Sequence, residues 1–352
     1  MAISDRLKTI LVFICLAGAL AGCRSRAPAK SHPNVKIKTS ADRKKQGAKA
    51  PPATLTVTIV DSATGGTMAN IPVAVGKRYL ATDAGGRVML GNLSAGDIPV
   101  AARAFKYGLY RHSLRLQAGE NTATIALLPE TGTPEPDPVV YQRQAYLTID
   151  DGPSATWTPA VLDILKKEHV RATFFLVGWR AAKHPEIVRR IYLEGQTIGN
   201  HTFSHNYDEL YRGSAKNLLA SLAANGRLLK AAIGYEPKIM RPPGGASGNF
   251  RPGYQSSLTW AGYTTVLWNV STGDGSTQTT GPQMVANAKR YLDRLAPRRP
   301  AVILMHDVRR PITEALPQII AEVRRRGYEF SVITDDMREP DLILGKPKAS
   351  PR

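Results

Sequence analysis

The sequence predicts an α/β chain: a distorted barrel of seven parallel strands with intervening helices, preceded by a small all-β sandwich. Three observations predict it. From Gln144 to about Pro340, short apolar runs alternate with amphipathic stretches of helical length. The ends of those runs collect Asp, His and Arg, where an ordinary strand end would carry scattered Lys, Glu and Ser. Before them, residues 54–128 hold short runs at intervals of about ten residues, separated by turn clusters.

The N-terminus reads as an address. Arg6 and Lys8 open it, Ile10 to Leu20 is apolar but too short to span a bilayer, and residues 1–22 are expected to be an export signal. The sequence Leu20-Ala21-Gly22-Cys23 resembles the lipobox of bacterial lipoproteins. That resemblance implies cleavage before Cys23, acylation of its thiol, and a lipid anchor in the cell envelope. The one other cysteine, Cys15, lies inside the removable segment, so no disulfide is expected in the mature chain.

The formal net charge is +19, which invites a nucleic-acid reading. Its distribution argues against one. Residues 24–50 hold nine Lys or Arg against one Asp, and a Pro/Ala/Lys-rich segment beside a lipid anchor is expected to be a solvated tether, residues 23–53, drawn to anionic lipid or wall polymer.

The sandwich is expected over residues 54–129. TLTVTIV places Leu55, Val57 and Ile59 on one face by period-two alternation, and IPVAV, GRVML, IPVAARAF, HSLRL and ATIALL follow, giving about seven strands. VTIVDSATGGTMANIPVAV followed by TDAGGRVMLGNLSAGD is similar to the transthyretin-like, carboxypeptidase-regulatory sandwiches. No His, Cys or acidic cluster there suggests chemistry, so a spacer or docking role is expected. A stiff Pro-rich linker, residues 130–143, leads into the barrel at 144–340, and residues 341–352 read as a tail.

The expected barrel strands are AYLTI, ATFFLV, TIGN, KIM, TTVLWNV, AVILM and EFSVI, with helices over about 158–168, 185–194, 214–233, 250–261, 282–295 and 312–326. In such a fold the C-terminal ends of the strands form one rim where groups distant in sequence converge. Asp150 and Asp151 follow the first strand, His201 the third, Arg241 the fourth, Asp274 the fifth and His306 the sixth.

Two adjacent carboxylates at the end of a buried strand repel each other unless a cation or a division of labour separates them. His201 and His205, in HTFSH, are spaced to meet one ion, and Asp151 would complete a His-His-Asp set with positions open for water and substrate. Alternation along a strand would then turn Asp150 to the other side, toward the water, as general base. Arg241 would hold Asp150 ionised, His306 would serve as general acid, and Asp274 would orient His306. The reaction class expected is metal-assisted hydrolysis. The same ligand set also serves non-haem iron oxygenases, although the α/β texture argues against them.

TIDDGP, HTFSH, RPPGG, STGDG and ILMHD, in that order over residues 144–335, resemble the five motifs of the polysaccharide deacetylase family (NodB homology, carbohydrate esterase family 4). The resemblance implies a NodB-like barrel, a divalent metal, zinc expected, on Asp151, His201 and His205, and Asp150, Arg241, Asp274 and His306 in the roles above. It further implies N-deacetylation of a polysaccharide, peptidoglycan or a chitin-like polymer, with Pro243, Gly244 and Trp268 expected against the sugar. The fourth motif departs: Ser271 replaces an Asp, and Gly275 stands where Trp is usual, so a wall of the pocket is missing. Trp157, Trp179 or Trp268 would have to supply it. The alternatives are an O-acetyl esterase on xylan-like chains and a glycan-binding protein that has lost turnover.

Overall fold

The structure, a computed structural model, describes residues 35–39, 52–130, 143–296, 299–335 and 337. The expected signal, Cys23 and the C-terminal tail lie outside the described residues, as does nearly all of the linker. Among the described residues no helix is long and apolar enough to cross a membrane.

Residues 35–127 form eight strands: β1 Val35–Thr39, β2 Ala53–Asp61, β3 Pro72–Val75, β4 Arg78–Ala81, β5 Arg87–Leu93, β6 Gly96–Ala102, β7 Tyr110–Leu116 and β8 Gly119–Leu127. They make two four-stranded sheets, ordered β1-β8-β2-β5 and β4-β3-β6-β7. The period-two pattern of β2 puts Ala53, Leu55, Val57 and Ile59 inward against Val73, Val75, Val100, Ile125 and Leu127. Burying each of the larger of these side chains stabilises by roughly 1.5–3 kcal/mol before conformational entropy is charged. β1 departs from the expected tether. VKIKT alternates apolar and basic residues, as a strand does, and pairs antiparallel with β8, which would otherwise be a sheet edge.

The barrel segment runs β9 Gln144–Asp150, α1 Trp157–Lys167, β10 Thr173–Leu176, α2 Gly178–Lys183, α3 Pro185–Leu193, β11 Thr197–Asn200, α4 Tyr207–Tyr211 and α5 Lys216–Ile233. It continues through β12 Ile239–Met240, α6 Tyr254–Trp260, β13 Thr264–Thr265, β14 Val270–Ser271, α7 Gly281–Asp293, β15 Ala301–His306, α8 Pro311–Arg325 and β16 Glu329–Ser331. All pairings are parallel, in the order β13-β12-β11-β10-β9-β15-β14, with β16 also on β9. The two ends of that order, β13 and β14, are joined by four residues, so the sheet has to curl back on itself.

That joint is where TTVLWNV, expected as one strand, breaks into two. The carbonyls of Val266 and Leu267 accept hydrogen bonds from the buried Arg241 guanidinium, 3.1 Å from Nε and 3.2 Å from Nη2, so neither can serve a strand ladder. The short helices α2 and α4 escape periodicity because neither exceeds six residues. α4 owes its start to Asn206, whose side chain caps the N–H groups of Asp208 and Glu209.

The two lobes touch through side chains. Phe105 of the sandwich stacks on Tyr235 at 4.3 Å, and Arg103 lies over the Tyr192 ring at 4.5 Å while donating to the Tyr192 carbonyl at 2.9 Å.

Candidate active site

β9 ends at Asp150, and its neighbour in register on β15 is His306. Neighbouring parallel strands lie about 4.8 Å apart and residues in register share a face, so these two side chains rise together from the rim.

Asp151 does not follow the alternation expected of it. The strand has ended, and Asp151 adopts φ +71°, a left-handed conformation that swings its carboxylate back to the same imidazole Asp150 approaches. The His201 Nε2 atom is 3.3 Å from Asp151 Oδ1 and 3.7 Å from Asp150 Oδ2. The two carboxylates are distinguished by their other partners. Asp150 Oδ1 accepts from Arg241 Nη1 at 2.8 Å, whereas Asp151 Oδ1 faces His205 Nε2 at 3.1 Å.

Gly152 permits this turn, since a Cβ there would come within 2.5 Å of the buried Asp307 carboxylate beneath it. Burial pushes the Asp307 carboxyl up to about 7, while the Thr158 hydroxyl, 2.5 Å away, pulls it the other way.

His201 and His205 sit on a loop whose backbone is also unusual: Thr202 has φ +65° and His205 φ +53°. Such conformations cost about 1–3 kcal/mol each unless their surroundings impose them. Asn225 of α5 does the imposing. Its Nδ2 donates within 2.8–3.0 Å of the Leu176 carbonyl, Asn200 Oδ1 and the Thr202 carbonyl, and Asn200 Oδ1 accepts from the Thr202 N–H.

Asp151, His201 and His205 fit a divalent metal ion. Their ligand atoms all lie within 4.8 Å of one another. Asp151 Oδ1 is buried and accepts no hydrogen bond of good geometry, and His201 donates through Nδ1 to the Arg241 carbonyl at 2.7 Å, which leaves a lone pair on Nε2. A carboxylate oxygen and two ring nitrogens turned toward one point make a candidate cation site. Burial opposes charge on Asp151, yet the two imidazoles outweigh it and hold its carboxyl far below the usual range.

Arg241 is fully buried, with its charge met by Asp150 and three further N–H groups by Thr148 Oγ1 at 2.8 Å and the two carbonyls already named. Burial lowers its pKa and Asp150 opposes that shift, and four hydrogen bonds from the guanidinium offset the cost of burying it. Asp274 grips His306 twice, Oδ1 accepting from Nδ1 at 2.9 Å and Oδ2 from the backbone N–H at 2.8 Å. Burial lowers the His306 pKa, but Asp274, with help from Asp150 and Asp151, pushes it up to about 9. Thr272, Arg309 and Thr148 brace these groups, and nothing in sequence spacing marks them.

Of the residues expected against sugar, Pro243 is buried with its carbonyl taken by the Tyr211 hydroxyl at 2.7 Å, Gly244 is exposed, and Trp268 is half-buried beside Arg241. A Cβ at Gly275 would meet only the His306 ring, at 3.9 Å, so the flank of His306 is open there. Trp157 opens α1, and Trp179, whose backbone N–H donates to the Phe203 carbonyl of the histidine loop, lies under the cations of Arg180 and Lys183.

The polysaccharide deacetylase family model matches residues 139–266. A peptidoglycan-N-acetylglucosamine deacetylase of Bacillus cereus is 32% identical over 195 residues, covering 54% of this chain and 87% of that protein. The chain belongs to the polysaccharide deacetylase family. Another member, the Bacillus subtilis peptidoglycan-N-acetylmuramic acid deacetylase PdaA, is 32% identical over 205 residues, 58% of this chain and 74% of its own length. Among solved family structures, a Bacillus cereus polysaccharide deacetylase superposes with a TM-score of 0.52 at 29% identity, over 56% of this chain and 96% of that one. A Streptococcus mutans CE4 esterase gives 0.51 at 32%, over 54% and 86%. The deacetylase likeness covers the barrel; the sandwich lies before the matched region.

Proposed function

We propose that the protein is a metal-dependent hydrolase that removes N-acetyl groups from N-acetylglucosamine units of peptidoglycan, and that zinc is the ion held by Asp151, His201 and His205. The observation that carries this reading is the placement of Asp150 and His306 in register beside the candidate metal site, one held by Arg241 and the other by Asp274. The names of the peptidoglycan deacetylases it resembles support the choice of polymer.

A bound divalent ion would supply Lewis acidity, polarising the acetamide carbonyl and acidifying water beside it. Asp150, held in place by Arg241, accepts the proton of the attacking water as its oxygen bonds to the carbonyl carbon. His306, protonated on the side away from Asp274, gives its proton to the sugar nitrogen as the carbon–nitrogen bond breaks, leaving acetate and an amine. The guanidinium of Arg241 holds the Asp150 carboxylate in place without itself moving a proton.

Acetate release from N-acetylated peptidoglycan and from O-acetylated xylan, measured side by side, tests the bond and the polymer. Release from the first alone is expected; release from the second alone would replace an amidase with an esterase. The lipid anchor at Cys23 is part of the same proposal. C23S is expected to move the protein from the membrane fraction to the soluble one, and an unchanged distribution would remove the anchor.

A further inference from the structure

We infer that Tyr207 and Trp268 form two facing aromatic walls that hold the acetamido sugar over the paired carboxylates, and that the Gly244-Gly245 turn is the gap between them. The inference deepens the deacetylase reading and rests on it. The two glycines have φ +70° and +79°, and each is cleared for one ring. A Cβ at Gly244 would lie 2.5 Å from Tyr207 Cε1, and one at Gly245 would lie 2.9 Å from Trp268 Cη2. No side chain fits at either position while both rings stay where they are.

The rings belong to opposite sides of the site. Trp268 lies 5.6 Å from the Arg241 guanidinium that holds Asp150, whereas Tyr207 stands edge-on to His205, 5.6 Å between centroids, beside Asp151. Tyr207 is set in place from behind by an edge contact with Tyr211 at 6.1 Å, yet it remains 46% exposed. A ring that is held by its neighbours and half exposed suits the apolar face of a pyranose, and aromatic surfaces bind such faces at little entropic cost. Gly275 leaves the flank of His306 bare, and these two rings supply flat surfaces beside the groups that hold the carboxylates.

In protein that keeps its metal, Y207A is expected to raise KM for an N-acetylglucosamine tetramer about tenfold with a smaller change in kcat, and Y207F to recover most of that loss. A methyl at Gly244 needs the space of the Tyr207 ring, so G244A is expected to reproduce the KM defect. The double variant should then add less than the two single effects combined. Unchanged KM in Y207A, or full additivity with G244A, would overturn the walls.

Calorimetric titration of the tetramer into D150N separates this idea from its parent. Weaker binding in Y207A/D150N than in D150N, by about tenfold, supports the walls even if no turnover is seen. Equal binding in both, or none in D150N, overturns them, while absence of acetate release from every glycan tried by the wild type would sink the deacetylase reading instead.

Discussion

Asp150 and Asp151 are adjacent in sequence and approach one imidazole, and everything else about them differs. One is tied to a buried guanidinium, the other lies between two ring nitrogens. D150N keeps the shape of the first group but cannot take a proton, so kcat is expected to fall by about 100-fold or more with metal content unchanged in elemental analysis. D151N is expected to lose metal as well. His306 adds a pH signature. Its folded pKa, about 9, lies above the ordinary value of 6.5, so the contribution of its ion pair to stability is complete below pH 6.5 and is lost as pH rises through 9. The acid it supplies disappears over the same upper range. The alkaline limb of the rate profile is therefore expected near pH 9, and D274N should move that limb to lower pH, since burial then acts on His306 without the compensating carboxylate.

Among the elements, the loop after β11 carries the most strain and the most information. HTFSH and its place after a strand are legible in the sequence because ligand chemistry needs those residue types at that spacing. Asn225 is not, since it stands on a helix twenty residues on and looks like any polar residue in an amphipathic pattern. N225A would remove the two N–H groups that its three buried acceptors share while each keeps one backbone donor, at a cost of about 1–3 kcal/mol in all. A Tm several degrees lower and weaker metal binding are expected from calorimetry and metal titration, although Asn225 touches no ligand side chain. The same contrast explains the other departures. Strand ends at Asp150, Asn200 and His306 follow from pattern and base chemistry, whereas the break at Val266–Asn269 depends on where a buried arginine from a different strand sends its donors. The left-handed turn of Asp151 likewise follows from the chain leaving the sheet, which a period-two argument cannot anticipate. β1 was hidden by its lysines, whose charge made five alternating residues read as tether.

At the scale of the whole molecule, the sandwich is fastened to the barrel by Arg103 and Phe105, which engage Tyr192 and Tyr235 on α3 and after α5. Burial drives the Tyr235 hydroxyl well above its usual pKa. R103A/F105A is expected to split one thermal transition into two by differential scanning calorimetry, because the lobes would then melt separately; a single unshifted transition would mean that the contact carries little. The central claim concerns the barrel rim: that one carboxylate and two imidazoles hold an ion beside a free carboxylate and its acid partner. Acetate release from N-acetylated peptidoglycan by metal-loaded wild type and D150N, at equal measured metal content, tests it most directly. The account requires steady release by the wild type and almost none by D150N. Equal release by both would contradict the assignment of Asp150, and no release by either would contradict the reaction itself.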